Sequence, residues 1–190
     1  MKRLAVLSLA FLLIFGAGQL RAQKSENEQD MSVKKEKRVE KKRERKELRK
    51  LEGNKVSTAS KQTFDLQFGS NIPNVKWTRT QDYDIADFVL KKHDMKAYFD
   101  ADGELVGTVQ PKTMDDLPDK GVRILQTKYK DYKIGKILYF DNNEDNASPM
   151  ILWGTEILDR SNYFVELWKG DDKLVVYVDP GGNVTMFKKL

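Results

Sequence analysis

The chain has 190 residues, with 34 Lys and Arg against 29 Asp and Glu, one His and no Cys. That length allows one domain or two small ones. Without Cys there is no disulfide scaffold, thiolate zinc site, cysteine nucleophile or lipoprotein anchor, and a single His excludes multi-His metal sites. The net charge of +5 is unevenly placed. Residues 1–23 hold Lys2, Arg3 and Arg21, while residues 24–52 carry 12 basic and 8 acidic side chains. Everything after residue 52 is slightly acidic, so the basicity belongs to the N-terminal end and not to the globular part.

Lys2 and Arg3 form a positive n-region, Leu4 to Phe15 is apolar apart from Ser8, and Leu20-Arg21-Ala22 ends on a small residue. This layout predicts a secretory signal peptide over 1–22, cleaved after Ala22, and therefore a periplasmic or secreted protein. The apolar run is too short to span a bilayer, for which about 20 residues are needed. No other segment is a candidate span, so the mature chain is expected to lack one. Export removes nucleic acid and nucleotide cofactors as natural partners, and neither G-x-x-x-x-G-K nor G-x-G-x-x-G occurs.

Residues 23–54 read as a charged, flexible or helical segment. Glu36, Glu40, Glu44 and Glu47 share one helical face, bracketed by i,i+3 pairs with Lys and Arg that are each worth a few tenths of a kcal/mol. No apolar stripe runs along it, which excludes a coiled-coil seam. It is a solvated spacer, or a weak electrostatic tether to an anionic surface.

A short helix is predicted over Val56–Phe68, capped by Ser57 and stopped at Gly69. Strands follow at Val75–Thr78, Tyr83–Leu90, Met95–Phe99 and Glu104–Val109, with Ala101-Asp102-Gly103 as the last tight turn. A second helix is expected to be capped by Asp115 or Asp116, with Pro118 in its first turn and Leu117, Val122, Leu125 and Tyr129 on its buried side. Strands then recur at Lys133–Phe140, Asn162–Trp168, Lys173–Val178 and Val184–Lys188. The order helix, four strands thus appears twice. Residues 83–107 lie over residues 163–186, and Asp100-Ala101-Asp102-Gly103 matches Asp179-Pro180-Gly181-Gly182. The fold class is α+β: two tandem units, 55–112 and 113–190, each a helix laid on a four-stranded antiparallel sheet. Residues 141–156 break the repeat as an insertion.

The run Pro73-Asn74-Val75-Lys76-Trp77, the hairpin Ala97-Tyr98-Phe99-Asp100 to Gly103, and Leu117-Pro118 opening a helix resemble the PepSY-like family of exported bacterial proteins. That family is also described as β-lactamase-inhibitor-like. The resemblance covers about residues 55–190. It implies a periplasmic or secreted location and a non-enzymatic binding role.

No catalytic constellation accompanies it. His93 sits in a Lys91-Lys92-His93-Asp94 turn beside two lysines, a poor setting for a base. Asp100, Asp102 and Glu104 read as a hairpin turn and not as calcium ligands. Asp141, Asn143 and Asp145 begin like an EF-hand loop, but Leu152 stands where its twelfth-position Glu would be. No cofactor, metal or catalytic residue is therefore assigned. Large aromatic residues are the binding candidates: Trp153, Trp168, Phe164, Tyr177 and Trp77. Trp153, in the insertion, and Trp168, which alternates away from Tyr163, Val165 and Leu167, are expected to be exposed. The chain reads as an exported binding module for an envelope or secreted protein or peptide, gripped by a sheet face or by the 141–156 loop. The alternative is a structural protein tethered at an anionic surface by residues 24–52.

Overall fold

The computed structural model describes residues 53–146, 148–157 and 160–190, with Glu40, Arg43, Glu44 and Glu47 before them. The expected signal peptide and most of the charged segment lie outside the described residues; the four described positions there are helical. The chain divides into two compact units, 1–43 and 44–190, and the second carries the architecture below.

Among the described residues from 53 on, two α-helices and ten strands follow in chain order: α1 (Thr58–Phe68), β1 (Lys76–Arg79), β2 (Asp84–Leu90), β3 (His93–Phe99), β4 (Leu105–Lys112), α2 (Asp119–Lys128), β5 (Lys133–Asn142), β6 (Ile151–Leu152), β7 (Thr155–Glu156), β8 (Asn162–Lys169), β9 (Asp172–Val178) and β10 (Val184–Lys189). Eight strands form one antiparallel sheet in the order β1-β2-β3-β4-β5-β8-β9-β10, and β6-β7 is a separate hairpin. The sheet is thus a meander in which every neighbour is the next strand in the chain, save for the excursion between β5 and β8.

Period-two alternation sorts the side chains onto two faces. On the first, Ala86 lies opposite Ala97 and Val165 opposite Val176. Both helices cover this face. Helix α1 drives Phe64 into Phe68, Trp77, Phe88 and Phe99, with ring centroids 4.9–6.5 Å apart. Such pairs add about 0.5–1.5 kcal/mol each beyond their buried area. Helix α2 packs Leu125 and the half-buried Val122 and Tyr129 against Ile137, Val165, Leu167 and Val176.

The helix ends explain the boundaries. Ser57 caps α1 by accepting from the Ser60 amide at 3.0 Å, and Gly69, at φ 99, closes it. Asp84 is 1% exposed and accepts from the Ser57 amide at 3.0 Å and the Ser60 hydroxyl at 2.8 Å. A carboxylate at this helix start is favoured by the helix dipole. The expected Asp cap of α2 is corrected. Asp116 closes a capping box with Thr113 on a separate one-turn 3-10 helix, Met114–Asp116. Proline disfavours a helical conformation in the residue before it. Leu117 is accordingly extended, at ψ 149, and α2 starts only after Pro118, whose carbonyl accepts from Val122.

Two turns anchor the helices to the sheet in the same way. Gly103 and Gly182 both adopt positive φ, 80° and 75°. A Cβ on Gly103 would stand 2.5 Å from the Ala59 side chain and 2.8 Å from the Ser60 amide; one on Gly182 would stand 2.8 Å from Lys120 and 2.9 Å from the Gly121 amide. Each turn therefore touches the first turn of its own helix, at the second and third helical residues.

Candidate functional site

The sheet face away from the helices is treated differently in its two halves. In the β5-β8-β9-β10 half it is covered. Residues after β5 fold back, and Met150, Ile157 and the half-buried Trp153 pack on Phe140, Phe164 and Val175. Polar contacts hold this cover down. The Tyr83 hydroxyl donates to the Pro149 carbonyl at 2.7 Å and accepts from the Ile151 amide at 3.0 Å. Asp100 is buried; its Oδ2 accepts from Asn146 at 3.0 Å and from the Ser148 hydroxyl at 2.6 Å. The Asn143 side chain donates to the Leu105 carbonyl at 2.7 Å.

In the β1–β4 half the cover reaches Tyr83 and Val106, and the rest of the same face is open. A groove of about 550 Å³ runs across it from the Pro73-Asn74 loop to β5. Val89, Tyr98, Val109, Pro111 and Leu138 give it an apolar floor. Lys76, Lys96, Lys136, Asp87 and Asp94 give it charge. Lys96 pairs with Asp87. Val89, the last residue but one of β2, is 52% exposed. Burial, aided by the nearby Asp87 carboxylate, pushes the Tyr98 hydroxyl up to about 12, so it stays neutral and able to donate.

The five aromatic candidates fall in three places. Trp77 is in the core under α1, with its ring 5.5 Å from Phe64 and 5.7 Å from Phe99. Phe164 is buried, and Trp153 and Phe187 stack on it at 5.7 and 5.3 Å. Tyr177 is half-buried beside them. Trp153 is half-buried, its indole N–H donating to Glu166 at 3.3 Å and its carbonyl accepting from Lys188. Only Trp168 is exposed, at 46%, with its indole lying over Gly135. None of the five lines the groove. The groove residues carry little signal in the sequence because they are mostly small or charged. The available signal was alternation: Ile85, Asp87 and Val89 point away from the Ala86/Phe88 face.

The acidic residues have structural duties. Asp100 Oδ1 accepts from the Asp102 and Glu104 amides at 2.9 and 3.2 Å, as an Asp in a tight turn does. Ligand atoms of Asp100, Asp102 and Glu104 lie within 4.8 Å of one another, with only Asp100 buried. Asp141 accepts from Ser161 at 3.1 Å. His93 begins β3 and is exposed.

The fold has solved counterparts. A BLIP-like protein from Bacteroides fragilis NCTC 9343 superposes with a TM-score of 0.56 at 17% identity, over 72% of this chain and 87% of that one. A DUF2874 family protein from Bacteroides uniformis ATCC 8492 gives 0.57 at 16%, over 71% and 90%. A protein from Bacteroides eggerthii DSM 20697, provisionally described as periplasmic, gives 0.57 at 16%, over 71% and 89%. At this identity the likeness establishes a shared BLIP-like fold. No protein-family model and no curated protein matches the chain. No helix among the described residues is long and apolar enough to cross a membrane.

Proposed function

We propose that this is an exported, non-enzymatic binding module that engages an envelope or secreted protein or peptide through the open half of its sheet. The carrying observation is the contrast on one face: the segment after β5 covers β5-β8-β9-β10 and reaches Tyr83 and Val106, while the stretch around Val89, Lys96 and Pro111 is left open. A concave, mostly apolar surface with a few charged groups at its edges is a common mark of a binding site. The BLIP-like and periplasmic descriptions of the solved counterparts support the same reading. We assign the chain to the PepSY-like group and read residues 55–112 and 113–190 as a tandem duplication; the matched Gly103 and Gly182 contacts favour it. The 141–156 segment becomes the cover of the second unit and not the gripping loop. Trp168 remains a contact candidate at the rim.

The test is capture from envelope extract by mature protein 23–190 and by residues 54–190, each beside Val89→Glu and Trp168→Ala. Both lengths should retain the same protein, and Val89→Glu should lose it at least tenfold. Retention that needs residues 24–52 and fades with salt would replace this reading with the electrostatic tether.

A further inference from the structure

We propose that the protein docks on an anionic lipid surface through the corner of the sheet where β5 begins, β8 ends and β9 begins, with Trp168 at the headgroup level. The corner is separate from the groove, which Trp168 does not line. An antiparallel meander places alternate connections at opposite ends of the sheet, and here the two ends differ in charge. At one end, residues 79–84, 100–104, 141–146, 160–161 and 179–183 hold nine acidic side chains against Arg79 and Arg160. At the corner on the other end, residues 128–136, 166–173 and 188–189 hold eight lysines, no arginine and four acidic side chains. Residues 53–190 as a whole are slightly acidic, so it is the topology that gathers this positive charge.

The corner also projects. Lys112, which ends β4, lies across from Ile137, and Ile137 across from Val165. Strand β8 continues four residues beyond Val165 to Lys169, about 13 Å past that level. On this extension Trp168 stands between Lys133 of β5 and Lys173 of β9 in register, which makes a lysine–indole–lysine row on one face. Trp168 is 46% exposed, and Ile134 is exposed beside it on the other face. The acidic groups are largely matched. Asp131 pairs with Lys169 at 3.5 Å and Asp172 with Lys189 at 2.9 Å. Glu166 lies opposite the bulge that carries Lys136, so those two charges offset each other. Lys130, Lys133 and Lys173 make no ion pair among the described residues.

Residue type favours lipid over a docked acidic protein. Fixed carboxylates and phosphates are gripped by the arginine fork, and lysine is depleted from protein interfaces. Lysines around an indole match a bilayer interface instead. There an ammonium reaches the headgroups along its aliphatic stem, and an indole sits at the boundary of water and hydrocarbon. Basic side chains near anionic lipid each strengthen attachment several-fold.

The test is co-sedimentation of residues 23–190 with two kinds of vesicle: phosphatidylcholine alone, and phosphatidylcholine with about one-third phosphatidylglycerol. Binding should be at least tenfold tighter on the anionic vesicles and fade with salt. Brominated acyl chains should quench the tryptophan emission, and Trp168→Phe should remove that quenching. Residues 24–52 hold no tryptophan, and Trp77 lies in the core under α1, so attachment by the charged segment alone would leave the emission unquenched. Lys133→Gln with Lys173→Gln should weaken binding to the anionic vesicles about twentyfold. Lys61→Gln with Lys120→Gln removes the same charge beside the acidic turns and should change it less than twofold. All four lysines are exposed, so neither pair should disturb folding. Equal binding to the two vesicles, equal loss in the two lysine pairs, or sedimentation without quenching of Trp168 would each overturn the proposal. So would binding of soluble polyphosphate through Lys133 and Lys173 without binding of vesicles. No partner protein enters this experiment, so its failure would leave the capture result standing.

Discussion

The two halves of the sheet share a construction and diverge on one surface. Each has a helix on the same side, and each sets a glycine turn against its helix start. On the far side, Phe164 and Val175 lie under the insertion, while Val89 and Tyr98 open onto a groove. An eight-stranded sheet with helices on one side leaves a second face that must be polar, covered or used. Here a single excursion of the chain covers half of it, and so decides where a binding surface can exist.

The contrast can be broken most forcefully at Phe164, which is 2% exposed beneath Trp153. Phe164→Ala should cost about 3–5 kcal/mol of stability, read from urea unfolding midpoints. Val89→Ala, on the same face of the other half, should cost less than about 0.5 kcal/mol. Equal costs would mean that the first half is also covered. Next come Gly103→Ala and Gly182→Ala, where a Cβ would meet backbone at less than 3.0 Å in a left-handed conformation. Each should destabilise by about 2–4 kcal/mol, and similar values at both sites would strengthen the duplication. Asp100→Ala strands the Asn146 and Ser148 donors and should cost about 1–3 kcal/mol. It should also loosen the cover, seen as protease cleavage within 141–157 and a red-shifted Trp153 emission. Trp168→Ala should cost less than about 1 kcal/mol, since its side chain is 46% exposed.

The smallest effect is a gradual one with pH. A hydrogen bond from Tyr132, with Lys189 beside it, holds the Asp172 carboxyl below its usual range. The Asn183 side chain and amide do the same for Asp179, and the Thr113 amide and hydroxyl for Asp116. A depressed folded-state pKa means that the native state binds fewer protons, so stability is present above the ordinary carboxylate pKa and falls as acid titrates the native groups. Unfolding midpoints should therefore drop between about pH 4 and pH 2. Replacing Asp172 and Asp179 with Asn should flatten that decline.

Much of the fold was legible in residues. Alternation placed Val165 and Leu167 opposite Phe164 and Trp168, and the structure keeps that division. Ser57, Gly69 and the Asp100–Gly103 turn marked their own boundaries because capping and tight turns are local chemistry. The cap of α2 was misplaced because two acids compete there, and Pro118 excludes the helix from starting earlier. The open groove was the least legible part. Aromatic size pointed to Trp77 and Trp153, but a tryptophan satisfies a core as readily as an interface.

By itself the sequence determined the element order, the alternation of each strand and the turns, because these depend on neighbours a few residues apart. The charge division and the expected export signal were equally plain as composition. Only the tertiary structure decided which face the helices took and where the insertion lay. It also decided that Val89, Tyr98, Lys76 and Lys136, up to 60 positions apart in the chain, share one groove. Exposure of a side chain depends on what folds over it, and that partner is set by packing across the whole sheet.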